Sequence, residues 1–292
     1  MQVITAHTIG FCPGVKRAFQ LAEKALQSSR EPVFLLGDLV HNRKAVQSLV
    51  DRGAIKIEKP EEARAGSLVV SRSHGLEKAA GQAIDRRGAT VIDTTCPRVK
   101  KIHSLGCQLE KDGFALVVLG NAAHAEVRAL VSHLQRPPWV IGESPLDWEK
   151  LPPLIEQARK PVAVLEQTTF PQPAFQAFVN WIQERELFFP IEIHDTLCPE
   201  TGLRQKELAD QIRTGGITVV VLLGGKHSSN TRALALLAEH SALPLLWVES
   251  AEEIQPQWFG KNNRIFLTSG ASTPDVQVQK TFRYLQDIAA GK

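Results

Sequence analysis

No apolar run in this 292-residue sequence approaches the length of a membrane span, and no stretch is of low complexity. A spanning helix needs about 20 mostly apolar residues, so a membrane partner is not expected. A secretory signal is missing too. Cys12 stands too close to Met1 for a cleaved leader, and a cytoplasmic protein is expected. Neither sign of charge is in excess, with 34 basic against 31 acidic residues. A nucleic-acid binder would show a concentrated basic stripe with interleaved aromatic residues, so nucleic acid is not an expected partner either. Cysteine is scarce, at four residues, and none lies in a C-x-x-C pair. In a cytoplasmic chain of this length that points to metal or catalysis rather than to disulfides. The sequence also lacks a G-x-G-x-x-G dinucleotide fingerprint, so any reducing equivalents should come from a partner.

Three of the four cysteines are followed by proline: Cys12-Pro13, Cys96-Pro97 and Cys198-Pro199, at intervals of 84 and 102 residues. A short β-like run precedes each (Val3–Thr5, Thr90–Asp93, Ile191–Asp195), and a helical pattern follows each (Val15–Leu26, Val99–Leu109, Leu203–Ile212). Proline is tolerated at a first helical position, where its missing N–H has no intrahelical partner. Each cysteine is therefore predicted to stand between a strand end and a helix start. The helix dipole and free backbone N–H groups favour a thiolate there.

The repetition extends past the cysteines. A second strand pattern ends in Leu-Gly at Gly37, Gly120 and Gly224, and histidines follow at His41, His124 and His227, which lie 29, 28 and 29 residues after the cysteines. A third strand pattern precedes Ser73-His74-Gly75, Gln167-Thr168-Thr169 and Ser269-Gly270-Ala271-Ser272. Short continuous apolar runs between helices imply buried parallel strands in βαβ units. In such sheets chemistry gathers beyond the carboxyl ends of the strands, where these polar residues lie. The fold class predicted is α/β: three small modules with mostly parallel sheets around a pseudo-threefold centre. The modules span residues 13–96, 97–197 and 198–292, the last closed by the N-terminal strand within 1–12. Arg136-Pro137-Pro138 and Leu151-Pro152-Pro153 are read as bracketing a surface connection in the middle module.

Recurrence at one kind of junction is poorly explained by packing, whereas Cys107, with no counterpart in the other modules, reads as a packed thiol. Three thiolates with an imidazole suit zinc, although structural zinc sites usually draw on close pairs. Three widely spaced cysteines also suit an iron–sulfur cluster that spans several elements, with one iron left open. Lys16-Arg17 and Arg98, Lys100-Lys101 beside two of the cysteines read as a solvated helix face, or as an attraction for an acidic electron carrier.

Nine motifs in order complete the pattern: Gly10–Val15, Val40-His41-Asn42, Ser73-His74-Gly75, Asp93–Pro97, His124–Val127, Gln167-Thr168-Thr169, Cys198–Thr201 with Arg204-Gln205, Ser228-Ser229-Asn230 and Gly270–Asp275. Together they resemble, over essentially the whole chain, the IspH (LytB) family, 4-hydroxy-3-methylbut-2-enyl diphosphate reductase. The resemblance implies a trefoil of three modules around a [4Fe–4S] cluster ligated by Cys12, Cys96 and Cys198. It implies that His41, His74, His124, Ser228, Ser229, Asn230 and Ser272 hold a diphosphate, that Thr168 and Glu126 contact the substrate's allylic hydroxyl end, and that Glu126 leads proton delivery. Isopentenyl and dimethylallyl diphosphate would be the products, and ferredoxin or flavodoxin the electron donor. Independently, hydroxyl, imidazole and amide donors at helix N-termini suit an anion. A first-turn position favours ionised Glu126, which opposes work as an acid; bound diphosphate and a reduced cluster would raise its pKa.

The chain departs from the family pattern at Ala125, Ala129, Asn121, His227, Glu200 and the segment Phe170–Pro173. These departures leave a second expectation, a paralogue acting on another allylic substrate. A non-enzymatic iron–sulfur sensor or electron carrier is a third, although it has no need of Glu126 and Thr168.

Overall fold

The structure, a computed structural model, describes residues 1–187 and 189–291. Along the chain lie β1 (Gln2–Thr5), α1 (Pro13–Ser28), β2 (Val33–Leu36), α2 (Arg43–Val50), β3 (Ile55–Ile57), β4 (Leu68–Val70), α3 (Lys78–Arg86) and β5 (Thr90–Ile92). There follow α4 (Pro97–Lys111), β6 (Ala115–Leu119), α5 (Ala125–His133), β7 (Trp139–Ile141), α6 (Pro145–Trp148), α7 (Leu151–Ala158), β8 (Val162–Glu166), α8 (Gln172–Gln183) and β9 (Ile191–Ile193). The last third carries α9 (Pro199–Thr214), β10 (Val219–Leu223), α10 (Ser229–Glu239), β11 (Leu245–Val248), β12 (Arg264–Ser269) and α11 (Asp275–Ala290).

The strands form three four-stranded sheets, ordered β3-β2-β4-β5, β7-β6-β8-β9 and β11-β10-β12-β1, and every pairing is parallel. The fold is thus α/β with three small parallel sheets, as the repeated βαβ pattern predicts. In the last sheet β1 takes the outer position that β5 and β9 hold in the other two. The central strands are the apolar runs: every residue of β2, β8 and β10 is buried. A parallel sheet covered on both faces has no polar face to alternate with.

The chain packs as two compact units. One comprises Met1–Gln20, Asp38–Gly53 and the chain from Pro199 onward, and holds the β11-β10-β12-β1 sheet. Apolar clusters lie on both faces of that sheet, one around Leu208, Val220 and Phe266 and the other around Val221, Leu267 and Leu285. The other unit comprises Leu21–Gly37 and Ala54–Cys198 and holds the remaining two sheets. One of its clusters packs Trp148, Phe178 and Trp181 against Val162 and Val164 of β8.

Two features differ from the sequence reading. Each sheet gains one edge strand the apolar pattern did not reveal: β3, β7 and β11. The stretch that the two Pro-Pro segments bracket is not a bare connection but holds β7 and α6, and the second pair sits in the first turn of α7, where proline costs no intrahelical hydrogen bond.

Candidate functional site

Each Cys-Pro junction is built the same way. Pro13, Pro97 and Pro199 are the first residues of α1, α4 and α9, so each cysteine immediately precedes a helix. Each also donates its backbone N–H to a carbonyl just beyond a neighbouring strand: Cys12 to Ala271 at 3.0 Å, Cys96 to Ser73 at 2.9 Å and Cys198 to Thr168 at 2.8 Å. Those acceptors lie in the three loops that carry Ser272, His74 and Thr168 themselves. At the first junction Val15 N–H points at Cys12 Sγ from 3.4 Å, as a free helix-start donor does toward a thiolate.

All four cysteines are thiols outside any disulfide and are partly exposed. Cys107 lies inside α4, with its Sγ 3.6 Å from the carbonyl of His133. Among the described residues no three His, Cys, Asp or Glu side chains stand close enough to share one metal ion. What Cys12, Cys96 and Cys198 offer is three soft sulfur donors on rigid helix starts, a donor set that fits iron–sulfur chemistry. Beside Cys96, Lys100 is engaged by Asp93 at 2.5 Å. Burial raises the pKa of Asp93, but the bonds from Lys100 and Thr95 together outweigh it and leave that pKa below its ordinary value.

Within the larger unit, Glu126 and Thr168 meet. Glu126 lies in the first turn of α5 and is buried, with 5% exposure. Thr168 donates its backbone N–H to one carboxyl oxygen and its hydroxyl to the other, both at 2.6 Å. Burial pushes the Glu126 carboxyl up to about 7, against the opposing pull of the two Thr168 bonds. Burial therefore outweighs the helix-start preference for the charged form. The acid is held near neutrality before any ligand arrives.

His124 caps α5, and its Nδ1 accepts the N–H of Glu126 at 3.3 Å. That bond places the ring proton on Nε2, which becomes a donor. His74, just after β4, meets His124 edge to face, with ring centroids 5.6 Å apart. A Cβ on Gly75 would stand 2.8 Å from that of buried Ala129, and φ is +109° there, so the turn that aims His74 requires glycine.

In the other unit the expected anion-binding residues also gather. Ser228 caps α10 and accepts the N–H of Thr231 at 3.4 Å. Asn230 accepts the N–H of Ala271 at 3.3 Å and donates to Thr201 at 2.9 Å, so its amide fastens the loop after β12. Ser272 donates to the carbonyl of His41 at 3.3 Å. Gly225 presses so near that a Cβ there would stand 2.7 Å from that carbonyl. Ser229, the first residue of α10, is partly exposed, and His227 is exposed.

Sequence reasoning assigned no role to Arg204. This α9 residue has 2% exposure and donates to the carbonyls of Thr8 and Gly10 at 3.0 Å and of Ser269 at 3.3 Å. It thereby ties the Cys12 turn to the end of β12. Its presence in the Arg204-Gln205 motif was the available signal, but acceptors nearly 200 residues away leave no local pattern.

Three parallel sheets, each followed by a cysteine at a helix start, define an α/β protein of the LytB type. A model of the LytB protein family matches residues 3–286, and the chain belongs to that family. It is 33% identical to the 4-hydroxy-3-methylbut-2-enyl diphosphate reductase of Aquifex aeolicus, covering 100% of this chain and 98% of that protein. The enzyme of that name from Pectobacterium atrosepticum is 32% identical, over 99% of this chain and 90% of its own. Among solved structures, the E-1-hydroxy-2-methyl-but-2-enyl-4-diphosphate reductase of Plasmodium falciparum superposes with a TM-score of 0.88 at 26% identity, covering 98% of this chain and 88% of that one. A structure of (E)-4-hydroxy-3-methyl-but-2-enyl diphosphate reductase, described as the terminal enzyme of the non-mevalonate pathway, gives 0.71 at 33% identity, covering 98% and 100%.

Proposed function

We propose that this chain reduces 4-hydroxy-3-methylbut-2-enyl diphosphate, removing its allylic hydroxyl to give isopentenyl and dimethylallyl diphosphate. The observation that carries the reading is the Glu126–Thr168 pair. It is a buried carboxyl held near pH 7, clasped by a residue whose carbonyl also receives the N–H of Cys198. That arrangement puts a buried carboxyl beside the turn that carries Cys198, which a packed core has no reason to do.

In this reading the chain is three modules, 13–96, 97–197 and 198–292 with 1–12, and the three ligands stand at the junctions: Cys12 before the first module, Cys96 before the second and Cys198 opening the third. A [4Fe–4S] cluster held by these cysteines would relay, one at a time, the two electrons that with two protons remove the hydroxyl as water, and would leave one iron open to the substrate. The protein supplies the rest. His41, His74, His124, Ser228, Ser229, Asn230 and Ser272 offer N–H and O–H donors toward the diphosphate, and the α10 start adds its backbone N–H groups. Glu126 delivers a proton to the departing oxygen. Thr168 holds that carboxyl in place and tempers its pKa, since its two bonds favour the ionised form. Electrons enter from a ferredoxin or flavodoxin in the cytoplasm. No helix among the described residues is long and apolar enough to cross a membrane.

Anaerobically purified protein tests this directly. Brown protein with iron and sulfide that turns over the diphosphate with dithionite and a viologen mediator is the expected result. Colourless protein with stoichiometric zinc would remove the redox reading. Cluster-loaded protein that neither binds nor reduces the diphosphate would leave a paralogue of different substrate.

A further inference from the structure

Glu166 ends β8 and is 1% exposed. Its Oε1 accepts the backbone N–H groups of Thr196 at 3.2 Å and Leu197 at 3.0 Å. Its own N–H and carbonyl are both bonded to the Thr196 hydroxyl, at 2.8 and 2.7 Å. The same latch recurs at the other junctions. Ser71, just after β4, accepts the N–H of Thr94 at 2.9 Å, and Thr94 returns its hydroxyl to the Ser71 carbonyl at 2.6 Å. Ser269, ending β12, accepts the N–H of Gly10 at 2.9 Å. Gly10, Thr94 and Thr196 each stand two residues before a cysteine, so a strand-end side chain fixes the turn into each Cys-Pro helix.

The latches differ in one chemical respect. Ser71 also gives its hydroxyl to Asp93 at 3.4 Å. At the third junction the matching carboxylate is Asp195, and its Oδ1 accepts the Leu197 N–H at 3.2 Å, the same N–H that Glu166 Oε1 accepts at 3.0 Å, so two carboxyls meet on one donor. Glu166 Oε2 is buried, and no hydrogen-bond donor reaches it among the described residues. Two adjacent carboxylates repel, whereas one proton between them makes a hydrogen bond. Burial first, then the bond and charge of Asp195, push the Glu166 carboxyl up to about 8. Other ionisable groups on adjoining segments are engaged elsewhere: His194 lies 3.6 Å from Glu192, and Glu126 is held by Thr168. Opposite Glu166 on β6 is Leu119, which is apolar.

We propose that Glu166 is a positioning residue that works in its protonated form, one proton shared with Asp195 latching the Cys198 turn onto β8 as the Ser71 hydroxyl latches the Cys96 turn. It replaces with an ionisable group what the other two junctions do with serine. The Cys198 turn is therefore the one junction of the three that alkaline pH can release. The latch is a property of the protein chain and holds whatever Cys198 carries.

Hydrogen exchange of the full chain, followed by mass spectrometry, tests it, with the Asp93–Cys96 turn as internal reference at each pH. In the wild type, protection of the Asp195–Cys198 turn relative to that reference should fall about tenfold or more between about pH 7 and 9.5, as Glu166 ionises. Glu166→Gln should retain the pH 7 protection within about twofold and lose its pH dependence, because the amide donates to Asp195 while its oxygen still accepts from Thr196 and Leu197. Glu166→Ala should be loose throughout. Wild-type protection that stays flat across the range overturns the proposal, as does a Gln variant as loose at pH 7 as the Ala variant. Should the Gln variant fail to fold, the wild-type profile alone decides.

Discussion

Glu126 is where burial and local bonding oppose each other. Its carboxyl lies buried at a helix start, yet both oxygens receive bonds from Thr168 that favour the charged form. If it delivers the proton, Glu126→Gln keeps size and most hydrogen bonding but removes the acid. Diphosphate binding should survive within about tenfold, roughly 1.4 kcal/mol. Turnover should drop by about a hundredfold or more, the scale of general acid catalysis. Titration of the substrate into the oxidised protein reads the first quantity and dithionite-driven turnover the second. Thr168→Val goes further, because it deletes one of the two bonds that lower the Glu126 pKa while sparing the backbone bond. An acid must be protonated to act, so the rate should decline as pH rises through about 7, and in Thr168→Val that decline should move to higher pH. A decline that stays in place, or moves down, would assign the titration to another group.

At the scale of elements, the three helices behind the cysteines are legible because proline, apolar periodicity and the preceding β-run all mark one boundary. The central strands are legible because a strand buried on both faces is a continuous apolar run. The edge strands are not. β3 is three residues long with Ile55 and Lys56 exposed, β7 follows Pro137-Pro138, and three of the four residues of β11 are only half-buried. An edge strand forms on the template its neighbour provides, not on its own pattern. The three junction latches escape sequence reading for a similar reason: their partners are backbone groups from distant segments. Arg204 is the sharpest case and yields a prediction. Lysine cannot reproduce a planar fork that reaches carbonyls on both the Cys12 turn and β12. Arg204→Lys should therefore lower iron content toward that of Cys12→Ser while the chain still folds, as followed by circular dichroism. Cys107→Ser should leave iron content unchanged. Equal iron loss in the Cys107 variant would show that the fourth cysteine had been misassigned.

At the scale of the whole molecule, two buried carboxyls set the sign of the pH dependence of stability. Glu126 and Glu166 have folded-state values pushed to about 7 and about 8, above the ordinary 4.5. The folded state thus holds protons that the unfolded chain releases. The stabilisation this brings is complete below about pH 4.5, declines as pH rises, and is gone above about pH 8. Together the two groups are worth on the order of several kcal/mol. Asp93 acts in the opposite sense, since its lowered value makes stability fall only as acid protonates it. Between about pH 5 and 8 the two glutamates therefore dominate, and urea midpoints should decrease steadily across that range. Replacing both by glutamine removes the ionisable groups while keeping their shape, so the double variant should lose the decline. What remains below about pH 6.5 is the rise due to His103, whose pKa burial and then the nearby His133 lower to about 4. The single variants separate the contributions, because Glu126→Gln should flatten the profile up to about pH 7, and Glu166→Gln should also remove the part between about pH 7 and 8. A wild-type profile that rises with pH through this window would mean that both carboxyls are ionised in the folded protein. The proton assigned to Glu126 for catalysis and the one assigned to the Glu166 latch would then both be lost.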